Sequence, residues 1–364
     1  MQVIVSKKDL AEGINLVSST VSPRSTAPIL TNLLLTAKDD RLMITGTDLE
    51  AWMQVQVPAT VREPGGITVP SRRFGDIVRE LPDSDITITT EGSKTRIECG
   101  RGDYNLLGMD YADYPELPSF VVEQTLTLPK EVLVFLIEKT LFAVSDEEKR
   151  YALNGICTQV EGKELRMVST DGYRLSYARS ELAEPIATNL DLIVPAKAAR
   201  ELLRILTGEG EVQVELGSMH VSFSADGKLL VSRLLDGRFP PYRDVIPSGW
   251  EKKATLSRKT FGDVVRRVSL LCDEKMRQLA FSFTAGNLKV RAQNAGLGEA
   301  VEEMDITWEG EPLDVAYNSD YLTSILKTLD GDEMVIELTT NLKPALMRSV
   351  DSEDHLCILT PMRL

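Results

Sequence analysis

The fifteen residues "ITVPSRRFGDIVREL" return twice more along the chain, as "LIVPAKAARELLRIL" and "VAYNSDYLTSILKTL", with Phe74, Ala199 and Leu322 at equivalent places 125 and 123 residues apart. A repeat of that length constrains the fold more than any local signal, because one module must serve three times and its copies must join. Within the copies, Phe74, Ile77, Val78 and Leu81 stand at i, i+3, i+4 and i+7, as do Ala199, Leu202, Leu203 and Leu206, and Leu322, Ile325, Leu326 and Leu329. That is the period of a short amphipathic helix, entered here from a short strand. A second set, "VIVSKKDLAEGINLV", "LTLPKEVLVFLIEKT" and "ATLSRKTFGDVVRRV", keeps the same interval. Leu10, Ile14 and Val17 answer to Phe261, Val265 and Val268, while the middle copy is more uniformly apolar and its stripe less sharply defined.

Behind these helices lie β-like stretches, "NLLLTAKDDRLMITGTDLEAWMQVQV", "GICTQVEGKELRMVSTDGYRLSYA" and "FSFTAGNLKVRAQNAGLGEAV", broken by turns rich in Asp, Gly or Asn. Thr47, Thr170 and Asn294 mark equivalent turns. Each third therefore holds two strand-helix-strands units, six per chain, which makes the fold class α+β. Helices are predicted over 6–21, 70–81, 129–144, 195–206, 257–271 and 318–329. The proline-rich "YADYPELPSF" and "DGRFPPYRDVIPSG" fall where one third hands over to the next, dividing the chain into 1–121, 122–247 and 248–364.

A net charge of -14 argues for solubility and against general adhesion to polyanions. The charge is unevenly spread, however: the six predicted helices carry fifteen Lys and Arg against nine Asp and Glu, which is +6, and the remainder carries -20. Arg72, Arg73 and Arg79 lie opposite the apolar stripe of their helix, and Lys197, Arg200 and Arg204 do the same in its repeat. A modestly basic face suits a duplex, which presents one negative charge per ≈ 1.7 Å of axis, without any reading of bases. The competing reading is an ordinary solvated helix face.

Other chemistries find little support. Cys99, Cys157, Cys272 and Cys357 are far apart and read as reduced thiols. His220 and His355 are expected neither near a candidate nucleophile nor in ligand spacing. No GxxxxGK[ST], GxGxxG, GxSxG or HExxH pattern occurs, so neither a nucleotide cofactor nor a metal is expected. The acidic turn at Asp330 lacks the ligand spacing of a calcium loop, and "GRGD" from Gly100 reads as a hairpin turn. The N-terminus lacks a signal-like apolar core and no run approaches the roughly 18 residues of a membrane span, so a soluble, cytoplasmic protein is expected. The closing "CILTPMRL" is apolar where termini are usually loose, and reads as a last core strand.

Seven motifs in order, "TAPILTNLLL", "GTDLE", "TVPSRRF", "RYALNG", "STDGYRL", "DGRFPPYRDVIP" and "PMRL", resemble the bacterial DNA polymerase III β subunits, the sliding clamps, from end to end. The resemblance implies three clamp domains per chain and a head-to-tail homodimer closed into a ring, helices inside and sheets outside. Such a ring is a noncatalytic processivity factor around double-stranded DNA, nucleoid-associated in the cytoplasm. It tethers a replicative DNA polymerase subunit and other clamp-binding repair and replication proteins, and an ATP-dependent clamp loader opens it.

By the same resemblance, Arg24, Arg72, Arg73, Arg150, Tyr151 and Lys197 are expected to contact DNA. Tyr104 and Leu106 are expected to face Leu270 and Leu271 of a second copy, through exposed edge strands at the two ends of the chain. A pocket for short, largely apolar partner peptides is implied at Leu153, Thr170, Gly172, Tyr173, Arg174, Leu175, Pro240, Val245, Asn318, Tyr321, Leu342, Ile358, Leu359, Pro361 and Met362. The chain departs from the family pattern at Glu147, Ala152, Tyr173, Pro344 and Thr360. Two other classes compete: a hydrolase whose site is scattered over the repeats, and a peptide-binding scaffold that never meets DNA.

Overall fold

The computed structural model describes residues 1–22, 25–186, 189–246 and 249–364. Among them are six α-helices at the predicted places: α1 (Lys7–Val17), α2 (Ser71–Glu80), α3 (Lys130–Thr140), α4 (Ala196–Ile205), α5 (Arg258–Val268) and α6 (Ser319–Thr328). Side-chain oxygens start three of them: Ser6 accepts from the Asp9 N–H and its repeat equivalent Ser257 from the Thr260 N–H, while Asn318 accepts from Asp320 and Tyr321. The odd-numbered helices end earlier than their apolar pattern. After α1, the Ser19 and Thr20 hydroxyls donate to the carbonyls of Leu16 and Val17, and after α3 and α5 the chain tightens into 3₁₀ turns at Leu141–Ala143 and Ser269–Leu271.

Contacts gather the chain into two compact units. One comprises Met1–Val134 with Lys197–Leu234, the other Phe135–Ala196 with Leu235–Leu364. The middle third is divided between them by sheet pairing. Its strand Lys228–Arg233 pairs antiparallel with Ala51–Pro58, setting Leu230 opposite Met53, and so completes an eight-stranded sheet in the first unit. Its strand Arg174–Glu181 pairs with His355–Leu359, setting Leu175 opposite Ile358, and completes a nine-stranded sheet in the second. Each pairing satisfies a row of backbone N–H and C=O groups that an isolated module would leave open at its edge.

In the first unit α1 packs against the sheet so closely that a side chain at Gly13 would meet the methyl ends of Ile44 at 2.8 Å and Val57 at 3.1 Å, and these would have to shift to admit it. In the second unit Phe261, Val264, Val265 and Val268 of α5 and Leu322, Ile325 and Leu326 of α6 bury their stripes over Phe281, Phe283 and Tyr317. Each such side chain contributes on the order of 2 kcal/mol by leaving water. The apolar stripes of α2 and α4 are likewise buried, except that Ile77 and Leu203 remain half-exposed.

The strands nearest the chain ends are not free edges. Gln2–Ser6 pairs on both sides, and so does His355–Leu359, where Cys357, Ile358 and Leu359 are fully buried. The apolar C-terminus is thus the middle of a sheet. Edge strands lie elsewhere, among them Gly102–Leu107, bounding a five-stranded sheet, and Gly298–Asp305, bounding a four-stranded one.

His355 does have a nucleophile nearby, contrary to the expectation from sequence spacing. Strand pairing brings its Nε2 within 3.1 Å of the Ser176 hydroxyl, and the alternation of its own strand sets the Cys357 thiol 3.4 Å away. Burial pushes Cys357 up to about 12 and holds His355 down to about 4, so both groups stay neutral and no thiolate–imidazolium pair forms. His355 therefore makes the fold acid-sensitive. Because its folded pKa lies below the ordinary 6.5, the unfolded chain binds more protons between the two values, and stability falls as pH drops from 6.5 toward 4. The full loss is about 3 kcal/mol. Urea midpoints measured from pH 7 to 4 should show this decline in the wild type and a shallower one in His355→Gln.

Candidate partner pocket and basic surface

The pocket residues lie in the second unit and are organised by one turn. Thr170 donates through Oγ1 to the Arg174 carbonyl at 2.6 Å and accepts from the Gly172 N–H at 3.0 Å. The Asp171 carboxylate accepts from the N–H groups of Tyr173 and Arg174 at 2.9 and 3.0 Å. Gly172 sits at φ 89, a left-handed conformation that a side chain would strain. The first unit builds the same turn from "TDLEA": Thr47 accepts from the Leu49 N–H, and Asp48 caps Glu50 and Ala51. The third copy is abbreviated, with the Asn294 side chain accepting from Gly296.

From this turn Arg174 reaches across the second unit. Its Nε donates to Asp171 at 3.0 Å, its Nη1 donates to the Ser324 hydroxyl, and its guanidinium lies 4.8 Å from the Tyr321 ring and 5.4 Å from the Phe142 ring. Tyr173 stacks on Tyr321 with ring centres 5.8 Å apart. Tyr321 is held between an arginine and an exposed tyrosine, and its partial burial raises its hydroxyl pKa. The C-terminal segment closes this side: the Thr360 N–H donates to the Tyr173 carbonyl at 2.9 Å, and the Met362 N–H to the Ala316 carbonyl at 2.8 Å.

Not every expected pocket residue is accessible. Leu175 and Ile358 are buried in a small cluster with Tyr242 and Leu346, and Leu359 in the main core, so these three back the wall rather than face solvent. Leu153, Pro240, Val245, Leu342, Pro361 and Met362 are exposed to varying degrees on neighbouring segments of the same unit, and Asn318 caps α6 beside Tyr321. Asp171, Ser324 and Phe142 were not anticipated; the recurrence of Thr-Asp in "GTDLE" and "STDGY" is the signal that could have found Asp171.

The basic candidates are dispersed. In the first unit Arg72 and Arg73 are exposed on α2, form no ion pair among the described residues, and with Arg79 line a cleft of about 530 Å³ shared with Asn15, Ser18 and Thr31. Lys197, by contrast, is engaged by the Asp48 carboxylate, which offsets part of its charge. In the second unit Tyr151 is 52% exposed, and Arg150 is bound to Glu147 and to the Asp171 carbonyl. Arg24 lies outside the described residues. No group of side chains suited to a metal ion occurs among the described residues, and no helix is long and apolar enough to cross a membrane.

Three modules with shared sheets, a buried C-terminal strand beside an aromatic-lined turn and a basic α2 are the architecture of a clamp. Sequence profiles of the DNA polymerase III beta subunit match in succession, the N-terminal domain at residues 1–118, the central domain at 127–241 and the C-terminal domain at 243–363. The beta sliding clamps of Proteus mirabilis and Escherichia coli K12 are 34% and 33% identical, each over the full length of both chains. The polymerase III beta subunit of Pseudomonas aeruginosa superposes with a TM-score of 0.95 at 32% identity over 100% of both chains. The sliding clamp of Bacillus subtilis superposes at 0.96 and 30%, covering 100% of this chain and 99% of that one. The chain belongs to the bacterial DNA polymerase III beta subunit family, the beta sliding clamps. It is a DNA sliding clamp for replication and a noncatalytic processivity factor, and it works inside the cell.

Proposed function

We propose that two copies join head to tail into a ring with helices inside and sheets outside, each copy contributing modules 1–121, 122–247 and 248–364. A heterologous contact between two copies closes on itself only if its rotation returns to the start. The observation that carries this reading is apolar side chains at two of the sheet edges. Gly102–Leu107 bears the exposed Tyr104 and the half-buried Leu106, while the module 248–364, whose four-stranded sheet is bounded by Gly298–Asp305, bears Leu270, 76% exposed, and Leu271. Unpaired edges flanked by apolar side chains are fitted to pair with each other.

In this reading Arg24, Arg72, Arg73 and Lys197 contact phosphate and Tyr151 and Arg150 contact the strand, all without base readout. The aromatic turn and the C-terminal wall take a short apolar segment of the replicative polymerase or of another replication or repair protein. Tethering works through effective concentration, since a held polymerase rebinds its primer end before diffusing away. The chain has no nucleotide-binding loop, so an ATP-dependent loader opens the ring, and the loaded protein is nucleoid-associated in the cytoplasm. Protein loaded on closed circular DNA should be retained through gel filtration, and cutting the circle once should release it. Equal retention before and after cutting would show that the link is not topological.

A further inference from the structure

We propose that Arg150 is a positioning residue for the partner pocket and that a DNA phosphate competes with the pocket for it, so that duplex and peptide binding weaken one another. The inference rests on the preceding reading of the two surfaces. Arg150 interrupts the 3₁₀ stretch Glu148–Leu153 with non-helical dihedrals, φ -108 and ψ 52. From there its Nη1 donates to the Asp171 carbonyl at 2.7 Å and its Nε pairs with Glu147 at 3.2 Å. The approach is tight, since a side chain at position 172 would begin 2.6 Å from Nη1. Glu147, one of the departures from the family pattern, thus helps aim the guanidinium.

The carbonyl that Arg150 holds belongs to the residue whose carboxylate sets Tyr173 and Arg174, and those two side chains flank Tyr321. Contacts therefore run unbroken from the Arg150–Tyr151 step to the aromatic pair of the pocket. A guanidinium grips a phosphate with two adjacent donors, either the Nε/Nη edge or the Nη1/Nη2 edge. Both edges already have one occupied atom. Taking the Nη1/Nη2 edge displaces only a neutral carbonyl, whereas the other edge displaces a carboxylate, so a phosphate takes Arg150 from Asp171 first. The turn then loses one hydrogen bond, worth roughly fivefold in peptide affinity, and linkage requires that bound peptide weaken the duplex by the same factor.

The test titrates a fluorescent hexapeptide of aliphatic and aromatic residues into the full-length protein, with and without saturating duplex oligonucleotide at low salt. The wild-type Kd should rise about fivefold when duplex is present. Arg150→Gln should show the weaker value in both conditions, and Arg150→Lys, which keeps a donor for the carbonyl, should recover most of the affinity without duplex. A wild-type Kd for Arg150→Gln in the absence of duplex, or a fivefold difference that survives in it, overturns the inference. Wild-type protein that binds both ligands independently sinks this inference alone. Protein that binds neither sinks the reading beneath it.

Discussion

Arg174→Ala should weaken binding of a short apolar peptide by about 100-fold with little loss of folded structure. Truncating a packed arginine or tyrosine at a binding hot spot commonly costs 2 kcal/mol or more, and about 2.7 kcal/mol is 100-fold. Here one guanidinium does three things. It satisfies Asp171, it bonds to Ser324 and it covers one face of Tyr321, with its own side chain only 15% exposed. Without it Asp171 keeps its two backbone donors, so the turn survives, but Tyr321 loses the partner opposite Tyr173. Arg174→Lys should restore little, because an ammonium cannot lie flat on a ring while bridging a carboxylate and a hydroxyl. Fluorescence anisotropy gives the affinities and circular dichroism the control; wild-type affinity in Arg174→Ala would remove this turn from the pocket.

Leu270→Glu should convert the dimer to monomer at micromolar concentration without unfolding it. The residue stands in the turn Ser269–Leu271 and makes little contact within its own chain, so the monomer loses almost nothing. In the proposed interface the change removes an apolar contact and places a carboxylate where Glu302, held by Arg267 at 2.6 Å, and Glu299 already make the edge acidic. An unpaired buried charge costs several kcal/mol, or at least about a hundredfold in dimer affinity. Sedimentation at several concentrations measures this, and a variant that stays dimeric would place the interface elsewhere. The monomer should also fail to remain on closed circular DNA, because an open arc has no topological hold.

Much of this arrangement was legible before any coordinates. The apolar stripes fixed the six helices, since burial needs a 3.6-residue period and Phe261, Val265 and Val268 supply it. The Asp- and Gly-rich turn marked by Thr170 lies where the sequence places it, with Gly172 at φ 89. Helix ends were less legible, because hydroxyls such as those of Ser19 and Thr20 compete locally for the last carbonyls. The partners of charged groups were not legible at all. Lys197 and Arg150 read as free cations, but Asp48 and Asp171 meet them through folding.

The sequence by itself determined the module, its three copies, the helices and the basic face of α2, because these follow from local period and composition, and the order of seven short motifs carried the resemblance to the family. Tertiary structure alone decided which strands join. The middle third is shared between two sheets, Ser176 lies beside His355, and the apolar C-terminus is an interior strand instead of an edge. The physical reason is that backbone hydrogen bonding carries no side-chain signature. Every strand offers the same N–H and C=O groups, and only the assembled chain shows which neighbour takes them.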